Sequence, residues 1–143
     1  MKKVYLLDTN IISEFAKQRP DPAVITSYES NRGLCALSAV TWQELIYGVK
    51  RMPEGRRKQY VEECIETFKN SLEIIPYDSF AAQICGELQA DFGQHGITLP
   101  YHDSQIAATA ISNGMILVTH NTADFQEIHD RAFLHLEDWF KPE

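Results

Sequence analysis

The chain has no long apolar run. Val4-Tyr5-Leu6-Leu7, behind Met1-Lys2-Lys3, looks like the start of a secretory signal but stops at Asp8, short of the roughly 7–15 apolar residues that such a segment needs. No other stretch approaches the roughly 20 apolar positions of a membrane-spanning helix, so a soluble, cytoplasmic protein is expected. Cysteine is scarce: Cys35, Cys64 and Cys85 are odd in number, scattered and set among apolar neighbours, which predicts reduced thiols and no disulfide. The seven glycines never fall as G-x-G-x-x-G or G-x-x-x-x-G-K after a strand, which disfavours nucleotide binding through a Gly-rich loop. His95, His102, His120, His129 and His135 lack zinc-ligand spacing.

Positive charge is also short. Lys and Arg number 13 against 20 Asp and Glu, for a net charge of −7, so the whole-molecule field repels nucleic acid. Contact with phosphate therefore requires a local concentration of cations. Lys50, Arg51, Arg56, Arg57 and Lys58 crowd one helix-turn-helix stretch; such a cluster is more often a solvated face, and Arg56 and Arg57 are its candidates for RNA contact.

What is present fits one globular domain over residues 1–143, with 44% apolar and 23% charged residues. Pro and Gly punctuate short elements. Val4 to Leu7 reads as a buried strand, Ile11 to Lys17 and Ala23 to Ser30 as helices, and Leu34 to Leu37 as a second strand. Leu45, Ile46 and Val49 fall at helical spacing, as do Val61, Cys64, Ile65 and Phe68, and then Phe80, Ile84, Leu88 and Phe92. Glu73 to Ile75 and Met115 to Thr119 read as further strands, Ile106 to Ile111 as a helix closed by Gly114, and Leu134 to Leu136 as a last short strand. Strands alternating with helices predict an α/β fold, a mainly parallel sheet with helices on both faces. Trp42, Tyr47 and Tyr60 lie at helical spacing, where aromatics are more often core than ligand contacts.

Four acids fall where such a fold gathers its ligands. Asp8 ends the first strand, Asp103 opens the helix before the Met115 strand, and Asp124 lies just past that strand; all three map to the edge shared by strand C-termini and helix N-termini. Glu44 lies off the apolar stripe of its helix, with Gly48 leaving space one turn on. Each acid also has a structural reading: Asp8 and Asp103 as helix caps, Thr41 to Glu44 as a capping box, and Asp124 as first-turn acid. Capping does not explain convergence. Carboxylates brought together repel unless a cation neutralises them, and an oxygen-only donor set selects Mg²⁺ or Mn²⁺. Such a pocket suits metal-assisted phosphodiester hydrolysis. Thr9, Asn10, Thr119 and Asn121 flank the acids and would orient carboxylates or grip phosphate, or serve as plain turn and cap residues.

The ordered series Leu6-Leu7-Asp8-Thr9-Asn10, Pro20-Asp21-Pro22, Leu37 to Leu45 with Gly48, Met52 to Arg57, Asp103 to Ala110 and Leu117 to Phe125 resembles the PIN-domain toxins of VapBC-type systems, in the branch similar to FitB. Trp42 and His102 depart from the usual pattern and leave the acids in place. The resemblance implies a three-layer PIN-like fold with a five-stranded parallel sheet. It also implies Asp8, Glu44, Asp103 and Asp124 as metal-binding and catalytic residues, Mg²⁺- or Mn²⁺-dependent cleavage of tRNA or another structured RNA, a homodimer, a VapB-type antitoxin, and operator DNA contacted only through that antitoxin. The alternative is a non-catalytic PIN-like module that holds nucleic acid or acts as co-repressor with an antitoxin. A haloacid-type phosphatase fits less well, since it needs a second acid where Asn10 stands.

Overall fold

Strands whose two faces are both apolar must be covered on both sides, and the computed structural model, which describes residues 2–142, covers them. Five strands, β1 (Tyr5–Leu7), β2 (Cys35–Ser38), β3 (Glu73–Ile75), β4 (Ile116–Val118) and β5 (His135–Glu137), form one sheet in the order β3-β2-β1-β4-β5. Every pairing is parallel, including the short last strand, which sets Leu117 against Leu136. The intervening helices are α1 (Thr9–Phe15), α2 (Pro22–Ser30), α3 (Ala39–Lys50), α4 (Arg56–Ser71), α5 (Ser79–Gln94), α6 (Tyr101–Ser112) and α7 (Thr122–Arg131).

Strand alternation divides the apolar residues into two cores. Leu6, Ala36 and Leu117 face α5, α6 and α7 through Leu88, Phe92, Ile106, Ala107 and Phe125. Leu7, Cys35, Leu37 and Val118 face the other helices through Ile11, Val24, Leu45, Val49, Ile65 and Phe68. The result is the expected three-layer arrangement. β1 is central, and the chain runs outward through β2 and β3 before crossing back to β4 and β5. The switch between β1 and β4 opens a crevice at the C-terminal edge of the sheet, where open α/β folds bind ligands.

Local signals set most boundaries. Asp21 caps α2 ahead of Pro22, and Asp78 caps α5. Gly114, at φ +63°, closes α6 as expected: its N–H donates to Ile111 O and that of Met115 to Ala110 O, a Schellman ending.

Four expectations need correction. Helix α1 starts at Thr9, not Ile11, because the Asp8 side chain caps it directly from the strand end. Helix α6 starts at Tyr101, so Asp103 lies in its first turn and is not its cap. The Thr41 to Glu44 capping box is absent: Ser38 is the N-cap of α3, accepting from Thr41 N at 2.9 Å, while Thr41 is fully buried with its hydroxyl 3.1 Å from that of Ser38. Phe80 is 74% exposed, because the buried stripe of α5 is Ala81, Cys85, Leu88 and Phe92. Ala81, one residue on, takes the inward position on the face that Cys85, Leu88 and Phe92 bury.

Candidate active site at the mouth of the sheet

Asp8 leaves β1 with its N–H bonded to Val118 O at 2.9 Å, which places its side chain at the crevice between β1 and β4. Both carboxylate oxygens are engaged. Oδ1 accepts from Thr9 N at 2.8 Å; Oδ2 accepts from the buried Thr119 hydroxyl at 2.9 Å and, more weakly, from Asn10 Nδ2 at 3.5 Å. The Thr119 hydroxyl in turn accepts from Asn10 Nδ2 and Asn121 N, each at 3.1 Å. Thr9, Asn10, Thr119 and Asn121 thus form one network with Asp8. Thr9 also donates its hydroxyl to Glu44 Oε1 at 3.3 Å, linking α1 to α3.

The four acids sense one another. Burial holds the Asp8 carboxyl above the ordinary carboxylate range; the bonds from Thr9 and Thr119 oppose this, and the charge of Asp124 adds to it. Glu44 is raised by burial and then by Asp8, against the pull of His102. Asp103 is raised by burial, then by Asp124 and Asp8. Acids from the end of β1 and from α3, α6 and α7 lie on this side of the sheet and influence one another's charge, and Asp124 itself is exposed.

Among the described residues, no three carboxylate, imidazole or thiolate groups already close on a single point. The acids line an open mouth and do not form a finished cage. Burial first, and neighbouring carboxylates after it, hold three of these acids above the ordinary carboxylate range.

Two clefts open beside Glu44. One, of about 260 Å³, lies among α1, α3 and α4 and is lined by Thr9, Glu44, Gly48, Val49, Arg57 and Val61 among others. The second is lined by Thr9, Gln43, Glu44, Tyr47, Gly48, Arg51 and His102. Gly48 borders both, and a Cβ there would meet nothing within 4 Å. Arg57 reaches the first cleft; Arg56 does not line it. The basic cluster is divided, not continuous: Lys58 is buried and paired with Glu54, and Lys50 pairs with Glu62. The aromatics divide: Trp42 packs partly buried against the core, as expected, whereas Tyr47 is 65% and Tyr60 47% exposed. Their helix faces carry cations, with Arg51 over Tyr47, Arg57 over Tyr60 and Lys69 over Trp42.

One contact set escaped the sequence reading. His120 N donates to Asn10 Oδ1 at 3.0 Å, its Nδ1 lies 3.1 Å from Asp138 Oδ2, and its ring stacks on Phe140 at 3.9 Å. The C-terminal tail therefore clasps the loop that carries Thr119 and Asn121. Asp138 and Phe140 follow the last strand, and no motif spacing marked them.

Fold and site together define a parallel α/β domain with an acidic mouth at its topological switch. Comparison with known proteins agrees: residues 5–130 match the PIN-domain family model. The chain is 34% identical over 135 residues to the tRNA(fMet)-specific endonuclease VapC of Shigella flexneri, covering 94% of this chain and 97% of that protein. It is 32% identical over 124 residues to the toxin FitB of Neisseria gonorrhoeae, covering 84% and 89%. DNA-bound VapBC from Salmonella typhimurium superposes with a TM-score of 0.83 at 28% identity, covering 96% of this chain and 98% of that one. The chain belongs to the PIN-domain family, on its VapC branch. Among the described residues no helix is long and apolar enough to cross a membrane.

Proposed function

We propose that this chain is an Mg²⁺- or Mn²⁺-dependent endoribonuclease, the toxin of a toxin–antitoxin pair, which hydrolyses phosphodiester bonds in tRNA or another structured RNA. The observation that supports the reading is that Asp8, Glu44 and Asp103 are each raised, by burial first and in part by the charge of another acid of the set. A relative of this family is named for tRNA cleavage, and VapBC and FitAB complexes have been solved with DNA. By analogy this chain works as a homodimer, is restrained by a VapB-type antitoxin and meets operator DNA only through it.

Asp8 and Asp124 would hold the ion nearest the attacking water, and Glu44 and Asp103 would complete the set. The chemistry such an ion supplies is Lewis acidity toward that water and toward the leaving oxygen. The chain's own residues prepare the place. Thr9 N–H and the Thr119 hydroxyl fix the two oxygens of Asp8, so little reorganisation is left for the reaction. Thr9 holds Glu44 at the same rim. Water attacks phosphorus, the bond to the leaving ribose oxygen breaks, and no protein nucleophile is required.

Purified protein incubated with total RNA and Mg²⁺, beside Asp8→Asn, tests this. Wild type should produce discrete fragments and Asp8→Asn none; indistinguishable RNA patterns would sink the nuclease reading and leave a binding module.

A further inference from the structure

A cleft along the outer face of α3 borders Thr9 and Glu44, and none of the other three acids lines it. Gln43, Tyr47 and Arg51 recur along it at four-residue steps, which places them on one face over about 12 Å of helix. Tyr47 keeps 65% of its surface exposed, and the Arg51 guanidinium lies over its ring, 5.2 Å from the centroid. The cleft measures about 580 Å³; Thr9 and Glu44 line it together with His102, Gln43, Tyr47 and Arg51. Beyond these it continues into a second hollow bordered by Trp42, Ile46 and Lys50. A flat exposed ring flanked by a cation, in a cleft that also holds one of the candidate catalytic acids, is a stacking platform joined to a reaction site.

Resting on the ribonuclease reading above, we propose that this cleft is a nucleotide subsite: an unpaired nucleotide next to the scissile phosphodiester stacks its base on Tyr47 while Arg51 takes its phosphate. An aromatic face accepts any base, because every base has a π-face. The guanidinium binds phosphate through a planar fork of donors and stays charged. The base must be unpaired, because inside a duplex both of its faces are covered by neighbouring bases. Charge complementarity favours RNA over a second copy of the chain. A two-fold interface lays the same patch against itself, here guanidinium near guanidinium, whereas phosphate complements Arg51, which forms no carboxylate pair among the described residues.

The test uses full-length protein carrying Asp8→Asn, so that RNA stays intact, with or without Tyr47→Leu, Tyr47→Phe or Arg51→Gln. Fluorescence anisotropy follows a labelled random pool of unpaired oligoribonucleotides of about twelve nucleotides and a paired duplex of equal length, both at fixed salt. Tyr47→Leu should weaken binding of the unpaired pool about tenfold and leave duplex binding unchanged, and Tyr47→Phe should bind like its parent. Arg51→Gln should lower the salt dependence by roughly one phosphate contact. Equal binding by Tyr47→Leu, or equal losses for unpaired and paired RNA, overturns the subsite. So does a change in sedimentation of Tyr47→Leu, which would mean that a second copy covers the stripe. Cleavage of total RNA by the wild type is scored separately, so failure of the nuclease reading and failure of the subsite leave different results.

Discussion

Thr119→Val isolates the network that holds Asp8. Valine keeps the shape of the side chain and removes a fully buried hydroxyl, which donates to Asp8 Oδ2 at 2.9 Å and accepts from Asn10 and Asn121. A hydrogen bond to a charged group is worth about 1.5–3 kcal/mol and a neutral one about 0.5–1.5 kcal/mol. Asn10 is only partly buried and Asn121 is exposed, so water replaces part of their loss, and the cost settles near 3 kcal/mol. At about 2–4 °C per kcal/mol for a chain of this size, Tm should fall by roughly 6–12 °C near neutral pH. The pH dependence fixes the cause. The folded-state pKa of Asp8 is raised above its ordinary value, chiefly by burial, so its charged form costs stability above that folded pKa and costs nothing below the unfolded one. Without Thr119 the folded pKa rises further and the cost deepens. The Tm gap between variant and wild type should therefore be widest near pH 7.5 and narrow toward pH 4. Paired calorimetric melts at the two pH values decide the matter. A gap below about 2 °C, or one of equal size at both, refutes the claim that Thr119 serves the Asp8 carboxylate.

The acid cluster should respond to cations as a folding ligand site. Mg²⁺ or Mn²⁺ at a hundred times its Kd should stabilise the wild type by about 2.7 kcal/mol, raising Tm by roughly 5–11 °C. Asp103→Asn should lose most of that rise while melting above wild type in metal-free buffer at neutral pH, because the cost of burying its charge and, after it, the repulsion with Asp124 and Asp8 are gone; equal metal-induced shifts in both proteins would refute the assignment. Alkylation of the native protein should reach Cys64 first, since Cys35 and Cys85 are buried and burial pushes the Cys35 thiol up to about 11. Mass spectrometry showing Cys35 modified first would contradict the placement of β2 inside the sheet.

The sheet was legible because it rests on chain direction, and the same rule is what set three acids on one side in the sequence reading. Asp8, Asp103 and Asp124 each adjoin a strand end or helix start, and parallel topology sends all such ends to one side. Gly114 was legible because the Schellman ending demands its positive φ. The misreadings involve choices between near-equivalent local options. Ser38 and Thr41 both offer a capping hydroxyl, and burial of Thr41 in the tertiary core decides for Ser38. Phe80 and Ala81 differ by one helical step, and the face that buries Cys85, Leu88 and Phe92 takes in Ala81. The clasp of His120 by Asp138 and Phe140 is a contact between distant segments, which no local pattern encodes.

The negative net charge looks hostile to an RNA substrate, yet the distribution of cations argues otherwise. At physiological salt the field of an exposed charge fades over about 8–10 Å, so the balance beside Glu44 matters more than the total of −7. Of the basic residues between positions 50 and 58, Lys50 and Lys58 are held by Glu62 and Glu54. Arg51 and Arg57 form no carboxylate pair among the described residues, and each lines one of the two clefts that border Glu44. The lysines are engaged in holding α3 and α4 together, and the arginines, whose planar donors suit phosphate, face the openings. A polyanion in either cleft beside Glu44 therefore finds a guanidinium in the same lining, and Gly48, which borders both clefts, places no side chain there.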